Sequence, residues 1–179
     1  YVFINDDIRF NKEELNSLLD WTGKGNTLFI ASKNFEEALK DTLGLDTNNS
    51  YIGFETSQKQ IHILLNPSIK LKDSVNFNRG TSTPYFSKID TMKTTALGQV
   101  AVIIDKVENL HLNVVMHPFG EGSIILSTFP EAFTNYFMLK DKNKDYTAGL
   151  LSYLDDSRPI YLDNHYKSGK SFYTSPMYI

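Results

Sequence analysis

Hydrophobic and polar positions along this chain change rhythm twice, and each rhythm predicts a different kind of structure. The first 45 residues read as strand, helix, strand, helix. "YVFI" (1–4) predicts a short buried strand that stops at the polar Asn5, Asp6 and Asp7. Asn11 then precedes "KEELNSLLDWTGKG", with Glu14 three residues further on, as in a capping box. Leu15, Leu18, Leu19 and Thr22 follow at helical spacing, and Gly23 and Gly25 supply the stop. "NTLFIA" (26–31) predicts a second strand, and "SKNFEEALKDTLGL" a second helix capped by Ser32 or Asn34 and ended by Gly44. Connections this short imply parallel strands joined by a right-handed crossover.

From Tyr51 to about Val115 the pattern has a period of two, and no helix is predicted. "QIHILLN" (60–66), "SVNFN" (74–78), "YFSKI" (85–89), "GQVAVIID" (98–105) and "LHLNVVMH" (110–117) predict strands separated by Pro, Gly, Asn and Thr turns. Leu110, Leu112 and Val114 alternate with His111 and Asn113, as in an antiparallel meander with one wet face. The third rhythm opens with "EGSIILST" (121–128), a strand expected to be buried on both faces. Helices are predicted over "PEAFTNYFML" (130–139) and "DYTAGLLSYLDD" (145–156), and a last short buried strand over "PIYLD" (159–163). Together these readings predict an α/β fold with a β-rich antiparallel insertion around residues 51–117.

The 179 residues fit a single domain, 1–179, with a net charge of -3 that gives no general attraction to nucleic acid. Lys140, Lys142 and Lys144 interleave with Asp141 and Asp145, which reads as a solvated turn. There is no cysteine, which excludes a cysteine nucleophile, a thiolate metal site and disulfides. No run reaches the roughly 18 apolar residues that span a bilayer.

The candidate chemistry is sparse. Asp163, Asn164 and His165 close the last predicted strand, where open α/β sheets gather ligands. His165 there suits a general base oriented by a carboxylate, or else a turn that Asp163 and Asn164 cap; the turn is the favoured reading. Ser32 follows a strand, as nucleophiles do, but "IASKN" lacks the glycines of a serine elbow and suits a helix cap better. His62, His111, His117 and His165 show no metal spacing, and His62 and His111 are expected to face outward from their strands. "GKG" (23–25) follows a helix and "FGEG" (119–122) joins two strands, so neither reads as a phosphate loop. No cofactor is implied.

"YVFINDDIRFNKEELNSLLDWTGKGNTLFIAS", "YFSKIDTMKTTALG", "HPFGEGSIILSTFPEAFTNYFML" and "PIYLDNHYKSGKS" resemble, in order, segments of the bacterial family called domain of unknown function 4350, with the flavour of its Bacteroidetes members. The resemblance implies a class I glutamine-amidotransferase-like fold, a flavodoxin-like, mostly parallel sheet flanked by helices. It also implies tethering to the bacterial inner membrane by helices outside this fragment, with the domain on the periplasmic face. One strand–helix unit is expected before Tyr1, and "FYTSPMYI" is expected to approach a membrane helix. The function expected on this basis is non-enzymatic: binding of a protein partner in a membrane assembly linked to transport or to MoxR-type ATPases. The alternative is a hydrolase or small-molecule-binding domain built on Ser32, Asn135 and His165, with Asp163 and Asn164 beside them.

Overall fold

A computed structural model describes residues 1–51, 59–66, 68–69, 75–78, 82–104 and 107–165. "YKSGK" and "FYTSPMYI" lie outside the described residues. The chain begins with β1 (Val2–Ile4), α1 (Lys12–Gly23), β2 (Thr27–Ala31) and α2 (Glu37–Leu43). β3 (Asp46–Tyr51), β4 (Lys59–Leu64), β5 (Val75–Phe77), β6 (Ser82–Lys88), β7 (Thr95–Ile104), β8 (Val107–Phe119) and β9 (Gly122–Ser127) follow. A 3-10 turn (Pro130–Phe133), α3 (Asn135–Met138) and α4 (Asn143–Leu151) complete it.

The first helix forms as its sequence directs. The Asn11 side chain accepts from the Glu13 and Glu14 backbone N–H groups, and Glu14 accepts from the Asn11 N–H at 2.9 Å. Asn11→Ala removes the side-chain arm of this box, leaving the backbone N–H to Glu14, and should lower stability by about 1 kcal/mol, readable in a urea melt. Leu15, Leu19 and Thr22 are the face that α1 buries. The second helix starts later than expected, at Glu37, and its cap residue Glu36 makes no side-chain cap bond. Ser32 and Asn34 therefore shape the turn before α2 rather than cap it. Gly44 does end it, in the left-handed conformation.

The nine strands among the described residues join one sheet in the order β1-β2-β9-β8-β7-β4-β5, with β6 paired to β8 and β3 to β6. β1–β2 and β2–β9 run parallel; every other pairing of these strands is antiparallel. This overturns the flavodoxin-like, mostly parallel sheet. The antiparallel strands are no insertion, because β8 and β7 continue the sheet directly from β9. The result is a mixed sheet curled into a half-barrel. The expectation failed because the parallel part is confined to β1, β2 and β9, whereas the apolar run Val100–Ile104 belongs to the antiparallel β7.

The runs "TLFIA" and "GSIILS" are buried on both faces, as continuous apolar strands should be. Leu28, Ile30, Ile124 and Leu126 pack with Leu15, Leu19, Leu39 and Leu43 of α1 and α2. Phe29, Ala31 and Ile125 face the other way, onto Phe129, Ala132, Phe137, Tyr146 and Leu150. The β8–β9 turn seats itself on α1: Glu121 N–H donates to the Gly23 carbonyl at 2.9 Å, and Ser123 N–H to Asn26 at 3.1 Å. A Cβ on Gly122 would strike the Thr22 and Asn26 carbonyls, so only glycine lets the turn approach.

Two local expectations are also corrected. "PIYLD" is not a buried strand: Leu162 makes a single parallel bridge to Val2, and Ile160, Tyr161 and Leu162 are each more than half exposed. In β8 the simple alternation breaks. β7 and β8 are irregular together around Gly98 and Asn113. Leu112 packs toward the α1–α2 side, while Val114 packs toward the α3–α4 side and Val115 toward the first side again. Leu110 is left 56% exposed and Asn113 only 1%.

Candidate functional site

Open α/β sheets bind ligands beyond the carboxyl ends of parallel strands, here the ends of β1, β2 and β9. The chain fills that space with its own groups. After β2, Ser32 is fully buried and its hydroxyl donates to the Asn34 carbonyl at 2.7 Å, with the Asp6 carbonyl at 3.3 Å. Lys33 then lays its ammonium between Asp6, which follows β1, and Glu131, which follows β9, at 3.1 and 2.8 Å. Burial alone would lower the Lys33 pKa; the two carboxylates outweigh it and hold the ammonium above its ordinary value. Ser32 is thus a turn-fixing hydroxyl beneath an ion cluster.

The remaining sequence candidates separate. Asn135 opens α3 on the exposed surface, where its carbonyl accepts from Leu139 N–H. Backbone bonds from Val2 N–H to the Tyr161 carbonyl and from Asp163 N–H to the Val2 carbonyl, both 2.8 Å, lay residues 161–163 along β1. That brings Asp163 and His165 into one open groove of about 450 Å³, shared with Tyr1, Phe3, Phe10 and Glu13. Asn164 lies between them and is exposed. Neither Ser32 nor Asn135 lines this groove.

The most developed polar constellation is one the sequence reading missed. In β4 the inward face carries Gln60, His62 and Leu64, each at most 3% exposed, while Ile61 and Ile63 are only half-buried. His62 therefore faces the core, not solvent as expected. Its ring lies flat on Phe129 at 3.7 Å, with Tyr146 edge-on at 5.8 Å. Its Nδ1 meets the Asn113 amide nitrogen at 2.9 Å, and the same amide faces the Tyr146 hydroxyl. Nε2 has no hydrogen-bond partner; nor do Asn113 Oδ1 and Thr83 Oγ1. Gln60, His62, Thr83, Asn113, Thr128 and Glu131 share a small cavity of about 10 Å³, so this cluster adjoins the strand-end ion cluster. The legible signal was Leu64, a certain core residue two positions after His62 and hence on the same face.

Burial lowers the His62 pKa to about 3, so the imidazole is neutral at physiological pH. A group that weak is a poor proton acceptor for catalysis near neutrality, where a base is best matched near pH 7. Among the described residues no group of three His, Cys, Asp or Glu side chains is placed to hold a metal ion. What the cluster can do is make directed hydrogen bonds in a dry interior.

The family model described as "Domain of unknown function (DUF4350)" matches residues 1–151. No curated protein matches the sequence. Among solved structures, the chain is similar to "mmIFT52 N-terminal domain", with 12% identity and a TM-score of 0.60, over 85% of this chain and 75% of that one. It is also similar to part of a β-galactosidase from Rahnella sp. R3, with 10% identity and a TM-score of 0.50, over 79% of this chain and 21% of that one. At such identities the likeness is one of fold alone. These neighbours do not support the glutamine-amidotransferase-like fold that the family resemblance implied.

Proposed function

The chain belongs to the DUF4350 family, and from that footing we propose that it is a non-enzymatic domain that binds a protein partner in a membrane-associated assembly. The observation that carries this reading is the closed strand end. Where an enzyme of open α/β type keeps its ligand crevice, Lys33 is clamped between Asp6 and Glu131 over a buried Ser32. The adjoining cavity, at about 10 Å³, has no room for a metabolite. The groove at Tyr1, Phe3 and Phe10 is a better contact surface: its aromatic wall suits an apolar side chain, and Glu13 at its rim suits a neighbouring Lys or Arg.

The membrane setting, including an inner-membrane anchor and a periplasmic face, rests on the family resemblance. No helix among the described residues is long and apolar enough to cross a membrane. Affinity capture with the full-length protein from its native membrane tests the reading. One partner should be retained by the native protein and reduced at least several-fold by Glu13→Lys. A panel of amide and ester substrates should show no turnover. Hydrolysis that disappears in Ser32→Ala or His165→Ala would replace the proposal with a hydrolase.

A further inference from the structure

The cavity beside His62 has a chemistry of its own. Three of the side chains around it, His62, Thr83 and Asn113, are at most 3% exposed, and each has a polar atom with no partner in the protein. Leaving such atoms unpaired in a dry interior is costly, so buried polar groups are almost always satisfied by protein or by ordered water. We propose that this cavity is a binding site for one water molecule, held in common by His62 of β4, Thr83 of β6 and Asn113 of β8.

The assignment to water rests on size and on polarity together. A cavity of about 10 Å³ matches the lower limit for a single water, which also needs two to four polar partners. The orphan atoms are of mixed character. With Asn113 donating to Nδ1, a neutral His62 carries its proton on Nε2 and presents a donor, while Asn113 Oδ1 presents an acceptor. The Thr83 hydroxyl serves as either. If the amide is turned over, the His62 and Asn113 roles exchange and the set is still mixed. An anion would meet the Asn113 oxygen and the Glu131 carboxylate at the rim. A cation would meet an N–H. Only a ligand that both donates and accepts satisfies the set. That water would tie Thr83 of β6 to the His62–Asn113 pair, which already joins β4 to β8 directly.

A high-resolution crystal structure of the described domain within its full chain tests this, with parallel soaks in bromide and in thallous salt. The expected result is one density peak within hydrogen-bonding distance of His62 Nε2 and of Thr83 Oγ1 or Asn113 Oδ1, without anomalous signal in either soak. Oxygen-17 relaxation dispersion should count one fewer long-lived water in Thr83→Val than in the native protein, an isosteric change chosen because His62 variants risk misfolding. An anomalous peak in the cavity would make it an ion site and overturn the proposal. So would a cavity without density, or a long-lived water count unchanged by Thr83→Val.

Discussion

Ile125→Ala should lower the unfolding free energy by about 2–5 kcal/mol, the range for deleting a fully buried aliphatic side chain. Ile125 is at zero exposure in β9, the strand that joins the parallel and antiparallel parts of the sheet. It pairs with Phe29 on one side and Met116 on the other. Its side chain belongs to the cluster of Phe129, Phe137, Tyr146 and Leu150, whose rings and branches cannot all collapse into the gap. Ile125→Val, which removes one methyl group, should cost about 0.5–1.5 kcal/mol and calibrate the series. Urea melts provide the test, with midpoints shifting at constant slope. A loss below about 0.5 kcal/mol for the alanine variant would mean that β9 is peripheral and the strand order is wrong.

Mild acid should destabilise the domain through His62. Its folded pKa is depressed by burial from 6.5 to about 3. Between those values the unfolded chain takes up a proton that the folded chain refuses. Stability is therefore whole above about pH 6.5 and falls as pH falls, by up to about 1.4 kcal/mol per unit, levelling off only near the folded value. His111 and His117 are also lowered by burial and add to the slope. For His117, Asp90 pulls the other way. Chemical denaturation between pH 4 and 7 on the native protein and on His62→Leu isolates the one group. The variant is expected to start less stable, since Asn113 loses its partner, but to lose less on acidification. Parallel curves would show that His62 titrates normally and is not sealed in the interior.

The elements with strong local chemistry were legible. Asn11 and Glu14 announced α1 through their capping box, and the apolar run from Ile124 to Leu126 announced a strand covered on both faces. β3 was not legible, because "DTNNSY" is a polar run with no apolar alternation that becomes a strand by pairing with β6. The fold class misled for a related reason: the βαβ signal at the start fixes one parallel pairing, β1–β2, but says nothing about how β9 and a meander attach to it. The inverted face of β4 was hidden because Ile61 and Ile63 outvote Gln60 and His62 on hydropathy, while the deciding contacts, Phe129 and Tyr146, are far away in sequence. Of the candidate site residues, Asp163 and His165 share a groove because residues 161–163 zip onto β1, an attachment made by backbone atoms that no side-chain pattern announces.

The paired irregularity at Gly98 and Asn113 has a consequence for how this sequence can change length. Because β7 and β8 slip together, the alternation of β8 changes phase between Leu112 and Val114, yet the two strands stay in step on either side. An insertion or deletion of a single residue in one of them would put that step out and turn a run of interior side chains to water. The same change made in both strands at once would leave the pairing whole. Length variants of this region should therefore survive only as compensated pairs, with one residue gained or lost on each strand, whereas the unpaired versions fail to fold.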